Sequence, residues 1–490
     1  MEGKKEILDD GNKPVPERIE DFTPQWCEWA LKSSGTIGTN ATVISADIKR
    51  LVDETTGVTD GGGCTDAQIF RIKLIYGGEI AGNEPNTVIA KWFYNLTMKL
   101  PLKWRLICRL TGQYGGGLEE NIFRSDIMFC REVIPLIKDT FQYSKVYYTG
   151  MVDRGNRNVW NGTIMNKPCN VKSITLMQDM DGWESSSLRD NFLKGGLDPV
   201  TKKACLINIA VLHAAFWGKK AEKIKHAFRD PSVQEGKYRG AAHKFQAARS
   251  RISAIASVQA CRSMIQKCKT AWESYAWMAV KKEVTMPSWF TAETLEDGSY
   301  PILKDREVLE MLDVFAERYP SFNEEIASAY MKKPMQTLLH GDFHAGNHMY
   351  GVNNDKGKIV VLDFQLVGMG MVAVDICFFF GYQATVSDFI PMAKVYHDAL
   401  VKNGVDDYTW EEFKKDMIIQ QGEFVLKLVK DFAAMPPEKF LEFLNIFGEK
   451  SASIRPFLEC GAYCWPIIIL TDIYVKNKEG FLNKNSFSDI

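Results

Sequence analysis

Residues 340–347 of the chain read HGDFHAGN, an arrangement of the form H-x-D-x-x-x-x-N. Asp363 lies sixteen residues after Asn347. It directly follows the apolar run Ile359–Leu362 and opens an Asp-Phe-Gln sequence. Phosphoryl transfer needs one carboxylate at the acceptor hydroxyl, and an amide and a second carboxylate that hold Mg²⁺ against the ATP phosphates. The order of these residues predicts that Asp342 and Asn347 are catalytic and that Asn347 and Asp363 bind Mg²⁺.

The histidines of the same stretch support a rival hypothesis. His340, His344 and His348 recur every four positions, so on a helix they would share one face and could bind zinc, as in the H-E-x-x-H metalloproteases. Gly341 and Gly346 argue against a helix here, and no Glu stands at the general-base position. A third possibility is a glycine-rich turn before a buried strand, without any chemistry.

Composition indicates a large protein with balanced charge. The chain has 490 residues with 46% hydrophobic content, enough for two or three domain-sized units. Its 60 basic and 61 acidic residues leave a net charge of −1, which is no reason to expect nucleic acid or an anionic membrane as a partner. Eleven cysteines without a CxxC pair, and a charged N-terminus without a secretory signal, predict reduced thiols and a cytoplasmic location. The apolar runs are too short to span a bilayer.

The sequence before residue 180 has the character of a β-sheet preceded by an arm. Residues 1–40 mix charge and proline with Trp26 and Trp29, and we expect a helix there that leads into the fold. Apolar and polar residues then alternate with period two, the signal of half-buried strands. The predicted elements are strands at Asp47–Val52, Gln68–Tyr76, Thr87–Phe93, Lys145–Thr149 and Ile174–Gln178, with a helix at Glu119–Ile134 after the third strand.

After Asp179 the sequence becomes helical. Asp198 and Pro199 mark a helix start, and residues 205, 209, 212 and 216 form one apolar stripe along that helix. Thr409 and Glu412 form a capping box at a later helix. The whole pattern predicts an α+β, bilobal protein kinase-like fold. It comprises an arm over residues 1–40, a nucleotide-binding N-lobe with an antiparallel sheet over 41–178, and a larger, mainly helical C-lobe with the catalytic loop and acceptor pocket over 179–490.

ATP binding needs a cation on a rigid strand to hold the α- and β-phosphates, and a turn rich in backbone amides to cover them. Lys91 ends a Val-Ile-Ala-Lys run that is close to the V-A-I-K strand motif, and an unpaired ammonium in such a buried strand would be costly. The glycine run could cover the phosphates or be an ordinary hairpin turn, since it lacks the G-x-G-x-x-G spacing. Its residues are Gly61, Gly62 and Gly63.

Two further features complete the expected nucleotide site. Gln178 and Met180 lie in the predicted linker between the lobes, where backbone N–H and C=O groups would meet adenine. The strand lysine also needs a carboxylate on the next helix to orient it. The candidates are Glu119, Glu120, Asp126 and Glu132.

With these pieces the chain resembles the ecdysteroid kinase-like, or CHK kinase-like, family, relatives of aminoglycoside phosphotransferases and choline kinases. The resemblance covers about residues 45–430, and the Asp-Phe-Gln in place of the Asp-Phe-Gly of protein kinases is especially typical. It implies ATP- and Mg²⁺-dependent transfer to a hydroxyl of a small molecule, and it places Asp126 as the partner of Lys91, at the position where the family pattern leads one to expect Glu. Its other matching pieces are Phe70-Arg71-Ile72, Ile89-Ala90-Lys91, Phe129, Pro135, Leu339–Asp342, Asn347 and Asp375.

The acceptor is predicted to be a small hydroxylated molecule rather than a protein. Only eleven residues separate Asp363 from Asp375, and the Ala-Pro-Glu that ends the peptide-docking segment of protein kinases is absent from the sequence. The identity of the acceptor and the oligomeric state do not follow from the sequence. Two alternatives stay open: a kinase-fold protein that binds ligand without turnover, and the histidine-based metal hydrolase.

Three polar residues near these motifs are expected to have structural roles. His213 is expected to be a core histidine bonded to backbone, His340 to brace the catalytic loop, and Asp375 to hydrogen-bond the amides of that loop.

Overall fold

Five antiparallel strands form the sheet of the N-terminal lobe in this computed structural model. The structure describes residues 15–51, 68–93, 124–153, 171–185, 197–224, 336–380 and 386–434, and isolated positions at 227 and between 310 and 318. The spatial order of the strands is β1-β2-β3-β5-β4. They are β1 (Ala41–Arg50), β2 (Gln68–Gly78), β3 (Thr87–Phe93), β4 (Val146–Asp153) and β5 (Val171–Gln178).

All five predicted strands are confirmed, and the largest difference is at the start of the first. Strand β1 begins at Ala41 rather than Asp47. Its first residues already alternate, because Ala41 and Val43 are buried whereas Thr42 and Ile44 are exposed. The period-two signal was therefore present earlier in the sequence than the prediction placed it.

The two faces of the sheet have different neighbours. Phe70, Ala90 and Leu176 lie in register on one face, and they share a hydrophobic core with Trp26 of helix α1 (Pro24–Ser33). This helix is the one expected in the N-terminal arm. Because side chains alternate between the faces of a sheet, Lys91 points to the opposite face, away from α1.

A helix after the third strand carries an irregular turn. Helix α2 covers residues 124–137, and its middle, Phe129–Val133, is π-helical. The amide of Ile134 donates to the carbonyl of Phe129, five residues back. Pro135, which follows directly, has no N–H to continue the α-helical pattern. We attribute the π-turn to this proline.

The C-terminal lobe is mainly helical and carries two small antiparallel sheets. Strand β10 pairs with β7, and β8 lies between β6 and β9. Both sheets bring the sequence around residue 342 next to the sequence around residue 363. The helices are α3 (Pro199–Ala215), α4 (Ala373–Phe380), α5 (Val386–Lys402) and α6 (Trp410–Ala434), and the strands are β6 (Glu184–Ser185), β7 (Thr337–Leu339), β8 (His348–Tyr350), β9 (Ile359–Val361) and β10 (Gly368–Gly370).

The helix signals of this lobe are confirmed. Asp198 caps α3 by accepting hydrogen bonds from the amides of Val200 and Thr201, and the predicted apolar stripe of α3 is fully buried. Thr409 and Glu412 bond each other's backbone amides at the start of α6, as a capping box does. The molecule therefore has the predicted α+β, bilobal fold.

Within the described ranges, no helix combines the length and the apolar character needed to cross a membrane.

Candidate active site

The predicted catalytic loop, residues 340–347, lies between β7 and β8 and is hydrogen-bonded to helix α4. Oδ2 of Asp375 accepts a hydrogen bond from the amide of His340 at 2.7 Å, and its Oδ1 accepts one from the amide of Gly341 at 2.9 Å. Nε2 of His340 lies 2.9 Å from the carbonyl oxygen of Leu362, the residue before Asp363. The expected structural roles of Asp375 and His340 are confirmed by these contacts.

Gly341 allows the catalytic loop to approach the Asp-Phe-Gln turn closely. Its φ angle is +82°, and a Cβ at this position would lie 2.1 Å from the carbonyl oxygen of Leu366. Only glycine tolerates both the positive φ and this proximity. The glycine between His340 and Asp342 therefore sets the distance between the two halves of the site.

Asp342 and Asn347 are joined by two hydrogen bonds. Nδ2 of Asn347 donates to the carbonyl oxygen of Asp342 at 2.8 Å and to its Oδ2 at 3.1 Å. Burial would raise the pKa of Asp342, but the neighbouring His344, His340 and Asn347 hold that pKa below its ordinary value. Asp342 is therefore a carboxylate at neutral pH, the form that can accept a proton.

Lys91 joins the two lobes through the buried carboxylate of Asp126 and the partly buried carboxylate of Asp363. Its Nζ lies 2.6 Å from Oδ1 of Asp363 and 3.3 Å from Oδ2 of Asp126, and its side chain is 8% exposed. Burial would lower the pKa of Lys91, but Asp126 and Asp363 raise it above its ordinary value. The lysine is therefore a permanent cation between the sheet of one lobe and the Asp-Phe-Gln turn of the other.

Asp126 reaches both parts of this arrangement from helix α2. Besides its contact with Lys91, its Oδ1 accepts a hydrogen bond from the amide of Phe364 at 3.2 Å. Two of the four carboxylates considered as the partner of Lys91, Asp126 and Glu132, lie in the described residues, and Asp126 is the one of these two beside Lys91. Glu119 and Glu120 lie outside the described residues, as do Gly61, Gly62 and Gly63.

Asp363 has an unusual backbone conformation. Its φ and ψ angles of 64° and 70° are left-handed, a region in which Asp is several-fold more common than most residues. The turn Phe364–Leu366 follows at once and directs the chain away from β9. Such a conformation costs about 1–3 kcal/mol and is found most often at functional sites.

The backbone groups of the linker between the lobes differ in their availability to a ligand. The amide of Gln178 donates to the carbonyl of Lys145 at 2.7 Å, so the carbonyl of Gln178 is the backbone group of this residue that remains a candidate to meet adenine. The carbonyl of Met180 accepts a hydrogen bond from the amide of Trp183 at 3.0 Å. The amide of Met180 donates to no residue in the part of the chain that the structure describes.

An ion pair that the sequence did not reveal fixes this linker to the sheet. Nε of Arg71, on β2, lies 2.7 Å from Oδ2 of Asp179, and its Nη2 lies 3.2 Å from Oδ1 of Asp181. Arg71 lies on the same face of the sheet as Lys91, because its partner in β3 is Ile89, two residues before the lysine. The resemblance had singled out Arg71, but without a partner.

Stacked rings connect α2 to the catalytic loop. The rings of Phe129 and Phe364 are parallel within 9° with centroids 3.7 Å apart, and the ring of His340 lies 5.0 Å from that of Phe364. The sequence contained each residue but no sign of the contact, since Phe129 and Phe364 are far apart in the chain. The stack links the segments that carry Asp126, Asp363 and the catalytic loop.

The predicted hydrogen-bond partner of His213 is wrong. Its Nδ1 lies 2.6 Å from the hydroxyl of Tyr396 and its Nε2 lies 3.2 Å from Oδ2 of Asp375. The side chain is fully buried, as expected, but it bonds to side chains rather than to backbone. It therefore supports Asp375, which in turn supports the catalytic loop.

The three histidines spaced four residues apart do not share a helical face. Among residues 340–348 the only helical turn is the short 3₁₀ turn Ala345–Asn347. Nε2 of His340 contacts a carbonyl, and Nδ1 of His348 contacts the carbonyl of His344 at 2.9 Å. The geometry on which the zinc hypothesis depended is therefore not found here.

Solved structures of three small-molecule kinases are similar to the chain at low identity. An ethanolamine kinase from Plasmodium vivax is 11% identical, with 84% of this chain and 83% of that chain covered and a TM-score of 0.33. A choline kinase from Cryptosporidium parvum Iowa II is 9% identical, with coverages of 90% and 93% and a TM-score of 0.36. A spectinomycin phosphotransferase in complex with ADP and spectinomycin is 12% identical, with coverages of 84% and 94% and a TM-score of 0.31.

These TM-scores are too low to support an argument about fold or function. No curated protein sequence matches the chain. The family comparison is more informative, because a model of the ecdysteroid kinase-like family matches residues 120–405, which is more than half of the chain. This range contains Asp126, the catalytic loop and the Asp-Phe-Gln turn. The chain belongs to the ecdysteroid kinase-like family and has a kinase-like fold.

Proposed function

We propose that the protein transfers the γ-phosphoryl group of ATP to a hydroxyl group of a small molecule in a Mg²⁺-dependent reaction. The observation that carries the proposal is the convergence of Asp342, Asn347, Asp363 and Lys91, which come from both lobes and from distant parts of the sequence. Each has the chemistry that one part of phosphoryl transfer requires. Membership of a family of kinase-like proteins supports the same reaction class.

The side-chain oxygens of the site fit Mg²⁺, which prefers hard oxygen ligands and is commonly held by one or two carboxylates together with substrate phosphates. Asn347 uses its Nδ2 for hydrogen bonds, so its Oδ1 remains an acceptor. Asp363 uses only Oδ1 in its contact with Lys91 among the described residues. Asn347 and Asp363 would therefore hold the ion, which when bound neutralises charge on the phosphates.

Asp342 would act as the base of the reaction. It accepts the proton of the acceptor hydroxyl as the hydroxyl oxygen forms a bond to the γ-phosphorus, and the bond from that phosphorus to the bridging oxygen breaks. ADP leaves with the electron pair of the broken bond. Because the pKa of Asp342 is lowered, its carboxylate is a weak base, and positioning rather than basicity would supply most of its effect.

Lys91 would steady the α- and β-phosphates from the N-lobe, with Asp126 orienting it. The amide of Met180 would donate to adenine. The carbonyl of Gln178, which receives a long 3.4 Å hydrogen bond from the hydroxyl of Ser144, would accept from it. The glycine run Gly61–Gly63 remains the candidate cover for the phosphates.

A screen of hydroxylated small molecules with MgATP tests the proposal. We expect at least one compound to gain a phosphoryl group, detected by mass spectrometry of the product. Asp342→Asn should lower kcat for that compound by about 10²–10⁴, the usual effect of losing a positioned base, while MgATP still binds. Tight MgATP binding without transfer to any compound would indicate a binding protein. Transfer of the phosphoryl group to specific protein side chains, with none to a small molecule, would show that the proposed class of acceptor is wrong.

A further inference from the structure

His344 lies beside the proposed base and has a defined protonation pattern. Its Nδ1 accepts a hydrogen bond from the amide of Gly346 at 3.1 Å, which caps the 3₁₀ turn Ala345–Asn347. A neutral imidazole carries one proton, and a ring nitrogen that accepts a hydrogen bond cannot hold it. The proton of neutral His344 is therefore on Nε2.

That Nε2 faces Asp342. It lies 3.6 Å from Oδ2 of the carboxylate, and the two side chains are only 14% and 21% exposed. The ring of His344 also lies edge-on to the ring of Phe378, with centroids 5.8 Å apart. Catalytic hydrogen bonds are often long in a ligand-free site and shorten when substrate closes it.

The two oxygens of Asp342 consequently differ. Oδ2 receives the Nδ2 donor of Asn347 at 3.1 Å and faces the Nε2 donor of His344. Oδ1 accepts no hydrogen bond from any residue in the described ranges. An oxygen that already accepts hydrogen bonds is a poorer proton acceptor than a free one on the same carboxylate.

We infer that His344 is a positioning residue which, with Asn347, holds Asp342 through Oδ2 and leaves Oδ1 to accept the proton of the acceptor hydroxyl. The inference rests on the proposed function and adds a residue and an atom to it. The spacing of the histidines in the sequence had indicated only a zinc ligand at His344. The competing explanation is that His344 merely caps the turn through Nδ1.

Two substitutions separate the positioning role from the capping role, because each places a polar atom where one of the two ring nitrogens of His344 lies. His344→Asn retains an acceptor near Nδ1 and can still cap Gly346, but it has no donor near Nε2. His344→Gln places its amide nitrogen near Nε2 and can still donate to Asp342. Steady-state hydrolysis of MgATP, with water as acceptor, provides kcat and KM for both variants without a known acceptor.

We expect His344→Asn to lower kcat about 10- to 100-fold, the usual range for a hydrogen bond to a charged group, with little change in KM for MgATP. His344→Gln should keep a clearly higher kcat than His344→Asn. A wild-type kcat in His344→Asn, or equal losses in both variants, would overturn the inference.

An NMR measurement tests the arrangement separately from activity. The ¹⁵N shifts of the imidazoles, recorded above the ordinary histidine pKa of about 6.5, identify the protonated nitrogen. His344 should be protonated on Nε2, and His348 on Nδ1, because Nδ1 of His348 bonds a carbonyl. An Nδ1-protonated His344 would overturn the inference. A wild-type protein that turns over no MgATP, with any acceptor, would instead overturn the proposed function, and the NMR result would still decide the tautomer.

Discussion

At the scale of single residues, Lys91 links the proposed function to the stability of the fold. One ammonium faces two carboxylates, those of Asp126 and Asp363, and all three side chains are largely removed from water. Removing one partner from a buried ion pair leaves an uncompensated charge, which is more costly than never having had the pair. The same residue that is proposed to bind phosphates should therefore also stabilise the ligand-free fold.

We expect Lys91→Met to lower the free energy of unfolding by about 3 kcal/mol, because Asp126 and Asp363 lose their shared cation. In the double variant Lys91→Met, Asp126→Asn the charge on the helix is removed as well, and part of the loss should be recovered. Denaturant unfolding of the three proteins gives the comparison. A single variant as stable as the wild type would mean that water already screens these carboxylates.

His348 should make the protein sensitive to acid. Burial lowers its pKa from the ordinary 6.5 to about 3. Its folded-state pKa is depressed, so below pH 6.5 the unfolded chain binds a proton that the folded chain excludes until about pH 3. Stability should therefore fall with decreasing pH through this window, by about 1.4 kcal/mol per pH unit from this group.

Unfolding measured without Mg²⁺ at several pH values tests this dependence. His348→Asn keeps a donor for the carbonyl of His344 but cannot titrate, so its stability should fall less steeply between pH 6.5 and 3. The quantity to compare is the slope of the unfolding free energy against pH, since the smaller side chain of the variant also changes the absolute stability. Identical slopes in the two proteins would contradict the expected pKa.

At the scale of elements, the catalytic loop and the Asp-Phe-Gln turn are held together by backbone proximity as much as by side chains. Gly341 and Gly404 both have positive φ angles, +82° and +89°. A Cβ on Gly341 would meet the carbonyl of Leu366 at 2.1 Å, whereas a Cβ on Gly404 would meet nothing within 4 Å. Alanine substitutions at these two glycines therefore separate the effect of backbone strain, which both share, from the effect of a steric clash, which only Gly341 has.

Gly404→Ala should cost about 1–2 kcal/mol of stability, the usual penalty for a left-handed alanine, and should leave kcat unchanged. Gly341→Ala carries the same penalty and must also push the loop away from Leu366. We expect it to be more destabilising than Gly404→Ala and to lower kcat at least tenfold. Unfolding and MgATP turnover of both variants are the measurements, and equal behaviour would contradict the close approach.

At the scale of the whole molecule, the sequence predicted what depends on local pattern. Strand β3 and the caps of α3 and α6 follow from periodicity and helix-end chemistry, which act over a few residues. The order of Asp342, Asn347 and Asp363 and the choice of Asp126 followed from motif spacing and resemblance. The π-turn had a local signal in Pro135 that the prediction did not use.

Contacts between distant segments were the part that could not be predicted. Phe129 stacks on Phe364 across the lobes, Arg71 pairs with Asp179, and His213 bonds Tyr396. Each depends on how two elements pack, which neither periodicity nor propensity encodes. The tautomer of His344 belongs to the same class, since it follows only from the partner of Nδ1.

The proposed nucleotide site spans both lobes, and this has a consequence for the stability of the molecule. Lys91 belongs to the N-lobe, whereas Asn347 and Asp363 belong to the C-lobe. MgATP that contacts all three should stabilise the folded protein by about 2.7 kcal/mol at a concentration one hundred times its Kd. Asp363→Asn should retain the fold and lose the part of this stabilisation that depends on Mg²⁺, because a neutral amide is a weaker ligand for the ion.

Thermal unfolding with MgATP, with ATP alone and with Mg²⁺ alone tests the expectation. Asp355→Asn is the matched control, because Asp355 is an exposed carboxylate that pairs with Lys358 on the surface. The control should respond to MgATP as the wild type does, and Asp363→Asn should respond to MgATP only as it does to ATP alone. An undiminished response to MgATP in Asp363→Asn would show that this carboxylate, despite its left-handed backbone and its contact with Lys91, does not hold the metal.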